Sequence, residues 1–284
     1  MKISIITTCK GRLHHLRQVI PSWIQFDPYE IIVVDVKSPD GLSDWLLNFY
    51  PQIKRQFLDN NGFNVAEARN LGATVATGDY LLFVDADVHL SMGLNEWFHE
   101  CFYSHEYAVR FRENAHDGIH EQGTVLVSKK NFLRVEGYDE VFSGYGGEDH
   151  DFFEKLERAG CSKAEFPKAL LWSIEHSDEE RTKFYRIKCK QTQSIINRVY
   201  RSAKRAFLNM TPGEFELPLE VRNRIWTEVN AKLCDGPHKM ATEKLVFSSI
   251  VKRWLPSPYY LEEKFVISLE VKTRSPHDNR QNSG

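Results

Sequence analysis

The run Val84-Asp85-Ala86-Asp87 sets two carboxylates one residue apart, directly after the apolar stretch Tyr80-Leu81-Leu82-Phe83-Val84. At a strand end, that spacing points both acids the same way. Such a pair can hold a hard divalent cation and, through it, a diphosphate. It equally suits an Asx turn that closes the strand. Downstream, Gly144-Tyr145-Gly146-Gly147-Glu148-Asp149-His150-Asp151 opens a helical pattern through Phe152, Phe153 and Leu156. Glycines permit close backbone approach, and acids are favoured at a helix N-terminus. By pattern alone these acids read as a helix cap. Glu175-His176-Ser177-Asp178 follows a strand-like run from Ala169 to Ile174, so His176 can return to the strand-end face. His116 and His120 are spaced i, i+4, but the intervening Gly118 makes them loop or surface residues rather than a zinc pair. His14 and His15 read as solvated positions of the first helix, and Asn209-Met210-Thr211 as a sequon without meaning in a cytoplasmic chain.

The elements that must carry these residues alternate between two periods. Lys2–Thr8, Glu30–Val36, Lys54–Leu58 and Tyr80–Val84 are strand-like; Leu13–Trp23, Leu42–Tyr50 and Asn64–Ala76 are helical, the last closed by Gly78. This order predicts βαβ units and a mostly parallel sheet with helices on both faces. Ligands of such sheets bind at the carboxyl ends of the strands, which points to Thr7-Thr8, Asp35 and Asp85–Asp87. Neither G-x-G-x-x-G nor G-x-x-x-x-G-K-[ST] occurs, so the usual dinucleotide and P-loop readings lack their glycines.

The 284 residues, 42% hydrophobic and 27% charged, suffice for one large domain or a domain with an appendage. No run approaches the ~18 apolar residues of a membrane span. Five scattered cysteines without a C-x-x-C pair, and an opening Lys2-Ile3-Ser4-Ile5-Ile6 unlike a signal peptide, predict a reducing cytoplasm. The net charge of −2 hides a split. Residues 1–180 carry 17 basic and 29 acidic side chains, residues 181–284 carry 20 and 10, and Arg181–Gly213 contains no acid. A basic stretch with apolar Phe184, Ile187, Ile195, Val199, Ala203 and Phe207 at near-helical spacing reads as a helix. It either packs on the rest of the chain or meets an anionic membrane surface. Nucleic acid is not an expected partner, because no recognition fold accompanies the charge. Leu219–Leu233 and Thr242–Trp254 also read as helices, and Thr273–Gly284 as a frayed tail.

The segment Asn60-Asn61-Gly62-Phe63-Asn64-Val65-Ala66-Glu67-Ala68-Arg69-Asn70-Leu71-Gly72, followed by Gly78 and Phe83-Val84-Asp85-Ala86-Asp87, resembles the family-two glycosyltransferases. Their pattern is N-x-G-x-x-x-A-R-N-x-G, then A-x-G, then F-x-D-A-D. The resemblance covers residues 2 to about 90 and implies a GT-A fold. It also implies a nucleotide-sugar site made by Thr8, Arg12, Asp35, Asn64, Arg69, Asp85 and Ala86. Gly144–Asp149 resembles the G-W-G-x-E-D motif of β-1,4-galactosyltransferases, polypeptide N-acetylgalactosaminyltransferases and bacterial chondroitin-type polymerases, with Tyr145 in place of Trp. That likeness implies Asp149 as catalytic base and Tyr145, Gly147 and Glu148 as acceptor contacts. Glu175-His176-Ser177 resembles the R-H-S segment of the same galactosyltransferases, which implies His176 beside Asp87 as metal ligands.

The chemistry so implied is metal-dependent, inverting transfer of a hexose or N-acetylhexosamine from a UDP-sugar to a saccharide or glycolipid acceptor. A mixed carboxylate–imidazole site suits Mn²⁺, with Mg²⁺ the alternative. The expected organisation is a GT-A catalytic domain over 1–180, with its nucleotide-sugar part over about 1–90 and its acceptor part over about 91–180. A basic, mainly helical extension follows over 181–284. The expected setting is surface polysaccharide or glycoconjugate synthesis in the cytoplasm or at the inner face of the membrane. Two rivals stay open: a non-catalytic nucleotide-sugar-binding scaffold, and a nucleotidyltransferase using Gly11-Arg12 as a thin phosphate loop. A processive synthase is disfavoured, because Ile250 stands where Q-x-x-R-W requires Gln before Arg253-Trp254.

Overall fold

The computed structural model describes residues 2–100, 102, 105–110, 123–211, 213–234, 242–254 and 260–272. His116, His120 and the tail Thr273–Gly284 lie outside the described residues. The chain divides into two compact units, one of Met1–Gly144 and Glu148–Lys188, the other of Tyr145–Gly147 and Cys189–Gly284.

The first unit begins as the alternating periods require: β1 (Ile3–Cys9), α1 (Leu13–Gln25), β2 (Glu30–Asp35), α2 (Leu42–Phe49), β3 (Lys54–Phe57), α3 (Val65–Val75) and β4 (Tyr80–Phe83). It continues with β5 (Val88–Leu90), α4 (Gly93–Glu100), β6 (Tyr107–Val109), β7 (Val125–Ser128), α5 (Lys129–Arg134), α6 (Glu148–Arg158), β8 (Lys163–Glu165), β9 (Leu171–Ser173) and α7 (Asp178–Thr182). Among the described residues, seven strands form one sheet in the order β3-β2-β1-β4-β7-β6-β8. β1 runs parallel to β2, with Cys9 opposite Asp35, and parallel to β4, with Ile6 opposite Phe83. β7 then pairs antiparallel with both β4 and β6. The chain therefore leaves β1 in both directions, a switch point whose crevice opens at the carboxyl ends of β1, β2 and β4.

Burial explains the sheet. Ile5, Val33 and Leu82 on adjacent strands are almost fully buried and pack with Leu16, Val19, Ile20 and Trp23 of α1. α3 covers the other face unusually closely. A Cβ on Gly72 would overlap Ile6 Cγ2 and lie 3.2 Å from Val34 Cγ2. Only glycine lets that helix backbone sit on those two strands. A separate two-stranded ribbon pairs β5 with β9, and Ile174 N–H donates to Asp87 O at 2.8 Å. This ribbon brings residue 87 beside the segment that carries residue 176.

The second unit holds α8 (Lys190–Leu208), α9 (Leu219–Leu233), β10 (Thr242–Trp254) and β11 (Tyr260–Lys272). α8 buries Ile196, Tyr200, Ala203 and Phe207, and α9 buries Ile225, Val229 and Leu233. Inside the unit, Lys204 Nζ donates to Glu216 Oε2 at 2.7 Å, both side chains being almost fully buried. Two expectations are corrected here. Thr242–Trp254 is a strand, not a helix: it pairs antiparallel with β11 from Thr242–Lys272 to Trp254–Tyr260, and Leu245 and Phe247 alternate inward. The basic run after 181 is not one helix either, since α7 stops at Thr182 and α8 starts at Lys190 after Cys189.

Candidate active site

The loop after β1, the second aspartate of the D-x-D turn and the segment after β9 meet at one point. His176 Nε2 and Asp87 Oδ2 are in direct contact, and Arg12 Nη1 lies 3.0 Å from His176 Nε2 and 3.7 Å from Asp87 Oδ2. Burial alone would raise the Asp87 carboxyl. The hydrogen bond and charge of His176, and the Arg12 guanidinium, outweigh it and hold Asp87 below the ordinary carboxylate range. An ionised carboxylate and an imidazole nitrogen converging at one point are a donor pair that fits a divalent transition ion. Behind them, Glu180 Oε1 lies 3.0 Å from His14 Nε2 and 3.8 Å from Arg12 Nε. His15 is buried against the His176 ring at 5.3 Å between centroids, which corrects its reading as solvated. Burial, then the neighbouring positive groups His14 and Arg12, pushes His15 down to about 4, so it stays a neutral imidazole.

A second cluster is built around Arg69 of α3. Its Nη2 donates to Asp85 Oδ1 at 2.9 Å, its Nη1 to Asp149 Oδ1, and Glu148 Oε1 lies 3.6 Å from Nη1. Glu148 and Asp149 open α6, where the helix N-terminus favours negative charge. Burial, then the charge of Asp149, pushes the Glu148 carboxyl up to about 8 despite Arg69. Glu148 is therefore readier than an ordinary carboxyl to hold a proton beside Asp149. Burial likewise raises Asp85 to about 6, against the pull of Arg69 and with the push of Asp87 and Asp149. Since 34% of the Asp85 side chain remains exposed, it is the open side of the cluster.

The other expected contacts fall at or near the same edge with different local duties. Thr8, one residue before the end of β1, is half-buried opposite Val34, and Ala86 is buried between the two aspartates. Asp35 accepts from Ser38 N at 2.7 Å and Ser43 Oγ at 2.5 Å, so it also shapes the turn into α2. Asn64 caps α3 by accepting from Glu67 N at 3.2 Å, and its Nδ2 donates to Glu140 O at 2.8 Å. Its companion Asn70 donates to Tyr138 O and accepts from Tyr138 N, both at 2.9 Å. The A-R-N segment thus anchors the stretch that leads toward α6. Tyr145 and Gly147 belong instead to the second unit, where Tyr145 N–H bonds to Gln193 Oε1 and Lys190 Nζ lies 4.9 Å from the Tyr145 ring centre. The residues not singled out from sequence are Lys10, whose Nζ ties Val36 O to Asn60 O at 2.9 and 2.7 Å, together with Gly123, Tyr138 and Glu180. Only Lys10 had a visible signal, its place beside Gly11-Arg12 after the first strand.

An ionised carboxylate–imidazole pair, a nearby arginine and a base candidate at a helix N-terminus can together stabilise a departing diphosphate and take a proton from an incoming hydroxyl. Comparison with known proteins agrees in kind. Residues 4–96 match the model described as glycosyl transferase family 2, and residues 111–189 match that described as the N-terminal domain of galactosyltransferase. β-1,4-Galactosyltransferase 1 of Mus musculus and that of Homo sapiens are each 28% identical over 170 residues, 53% of this chain and 42% of theirs. The chain thus spans less than half the length of these relatives. In fold it is similar to S. aureus TarS 1–349 in complex with UDP-GlcNAc, with TM-score 0.59 and 15% identity over 82% of this chain and 73% of that one. Another structure of S. aureus TarS 1–349 gives TM-score 0.57 and 13% identity, over 82% of this chain and 72% of that one.

Proposed function

Because residues 4–96 match the glycosyl transferase family 2 model and the fold is similar to that of TarS, we propose that the chain transfers a hexose or N-acetylhexosamine from a UDP-sugar to a saccharide acceptor with inversion at the anomeric carbon. The observation that supports this best is the convergence of Asp87 with His176, and of Asp85 with Asp149 on Arg69, at the carboxyl edge of the sheet. Asp87 and His176 would hold a divalent ion, Mn²⁺ by their mixed donor set, with Mg²⁺ the alternative. When bound, such an ion supplies Lewis-acid stabilisation of the departing diphosphate. Arg12, beside the same pair, adds a positive charge toward those phosphates. Asp149 takes the acceptor hydroxyl's proton while that oxygen bonds to the anomeric carbon. The carbon–oxygen bond to the diphosphate breaks in the same displacement, and UDP leaves with the electron pair. Attack from the face opposite UDP turns an α-linked donor into a β-linked product. Glu148 orients the acceptor by a hydrogen bond, its raised carboxyl favouring the donor role, and Asp85 faces the ribose.

The acid-free stretch Arg181–Gly213 extends the proposal to a glycolipid acceptor met at an anionic membrane surface, from the cytoplasmic side, during surface polysaccharide or glycoconjugate synthesis. The deciding experiment is a panel of UDP-sugars with Mn²⁺, with and without saccharide acceptors, read as UDP released. One donor should give slow UDP release alone and faster release with an acceptor. No release from any donor, together with no measurable UDP binding, would overturn the proposal.

A further inference from the structure

The arginine of the A-R-N segment is read from sequence as a nucleotide contact, yet its guanidinium is committed inside the fold. Arg69 is 3% exposed. Nη1 serves Asp149 Oδ1, and Nη2 serves Asp85 Oδ1 at 2.9 Å and Gly123 O at 3.4 Å. Its central carbon lies 5.0 Å from the centre of the Tyr138 ring. Tyr138 is itself pinned, its ring 4.3 Å from that of Phe152 in α6 and its backbone tied to Asn70, the residue after Arg69. Gly123 leaves no slack on that side. A Cβ there would overlap Asp85 Oδ2 and stand 2.8 Å from Arg69 Nη2.

Resting on the glycosyl-transfer reading above, we propose that Arg69 is a positioning residue rather than a nucleotide ligand. It is a buried fork that holds the base Asp149, on the acceptor side, at a set distance from Asp85, on the donor side, with Gly123 as its backstop. The planar guanidinium suits this because its two terminal nitrogens point apart along fixed directions, so one rigid group can grip two carboxylates at once. Lysine supplies the charge but only one nitrogen on a flexible stem, and it cannot reproduce both grips. The two acids come from different ends of the fold, the exit of β4 and the start of α6. Arg69 joins them across separations of 16 and 80 residues. Rate depends steeply on such a separation: a misplacement of about 1 Å can lower turnover by ~10²-fold without any loss of binding.

The test uses the full chain, with Arg69→Lys and Gly123→Ala each compared with wild type. Calorimetry with UDP and Mn²⁺ gives nucleotide affinity. Steady-state transfer with the best donor of the panel gives kcat, KM and the ratio of donor hydrolysis to transfer. Both variants should lose about 10²-fold in kcat and shift the ratio toward hydrolysis, because water needs less exact placement than the acceptor, while UDP affinity falls far less than kcat, Asp85 being the nucleotide contact disturbed. A UDP affinity that falls in step with kcat would make Arg69 a nucleotide ligand and overturn the inference, as would wild-type transfer in both variants. If Arg69→Lys does not fold, Gly123→Ala decides by kcat and the hydrolysis-to-transfer ratio, because its methyl meets both Asp85 and Arg69 and so moves the fork itself. Wild-type protein that neither turns over any UDP-sugar nor binds UDP overturns glycosyl transfer itself, whereas an active wild type with unaffected variants overturns the fork alone.

Discussion

Gly72→Ala is a test of whether the rear of the sheet sets the front of the site. The new methyl would overlap Ile6 Cγ2 and stand 3.2 Å from Val34 Cγ2, on β1 and β2. Carbon atoms settle at about 3.5–4.0 Å, so α3 must retreat from the sheet by roughly 1 Å. Overpacking of this kind costs about 1–3 kcal/mol. Against it, alanine in a helix interior recovers about 0.5–1 kcal/mol relative to glycine. The net loss is then roughly 0–2.5 kcal/mol, and at about 2–4 °C per kcal/mol the melting point falls by no more than about 10 °C. Activity should suffer far more, because Arg69 and Asn70 ride on the same helix one turn earlier. A shift of about 1 Å there lowers turnover by ~10²-fold. Thermal melting followed by circular dichroism, beside UDP release on the same preparation, separates the two effects. Wild-type turnover with an unchanged melting point would show that α3 does not need that close approach. A large melting loss with normal turnover per folded molecule would show that the helix position does not govern the site.

Asp149→Asn can still accept from Arg69 through its amide oxygen, so the fold and UDP binding should hold while turnover drops by about 10²–10⁴-fold; near-normal transfer by the folded variant removes Asp149 as base. His176→Ala deletes one of two converging donors and should weaken Mn²⁺-dependent UDP binding by at least the ~10–100-fold that loss of a mere supporting contact causes. Wild-type affinity by calorimetry would take His176 out of the metal's shell. Glu30→Gln probes pH dependence. Burial would raise the Glu30 carboxyl, but hydrogen bonds from Lys54, Ser4 and Thr77 outweigh that and bring it from an ordinary 4.5 down to about 2. With the folded value below the unfolded one, the contribution is full above pH 4.5 and is lost as pH falls toward 2. The variant should therefore lose roughly 1–3 kcal/mol at neutral pH and show a flatter stability profile across that window. Parallel acid-unfolding curves for the two proteins would refute it.

The first four strands and the helices between them were legible because each repeats one period long enough to be read. β-Branched runs such as Ile31–Val34 bury both faces, and α1 shows one apolar stripe. The D-x-D turn and His176 could be aligned with each other only by family likeness, because the β5–β9 ribbon that joins them is made of three-residue strands with no strong pattern. Thr242–Trp254 misleads because Leu245, Phe247 and Ile250 satisfy helical spacing loosely, while the strand assignment depends on β11, far enough along the chain to be invisible to a local window. His15 is half of a His-His pair, and nothing local says that one ring is solvated and the other packed on His176. Arg69 was visible as a motif residue but not as the centre of a cluster, since its partners are the products of tertiary folding. The glycine-rich neighbourhood of Tyr145 is recognisable in the sequence, whereas the bond from its backbone to Gln193 of α8, 48 residues on, is not.

The same arginine has a consequence for the chain while it is being made. Its acids arrive in sequence at separations of 16 and 80 residues, with the Gly123 carbonyl between them at 54. At about 5–20 residues per second, roughly 4–16 seconds of synthesis pass between the emergence of Arg69 and that of Asp149. During that interval β1 to β4 can pair and Asp85 is present, but the pocket for the guanidinium lacks half its counter-charge, and burying polar groups without their full set of partners is unfavourable. The early parallel sheet should therefore stay loosely closed over α3 until α6 is complete. Closure of the candidate site then becomes a late folding event, and a ribosome-bound chain ending before residue 149 should leave α3 more open to proteolysis than one that includes α6.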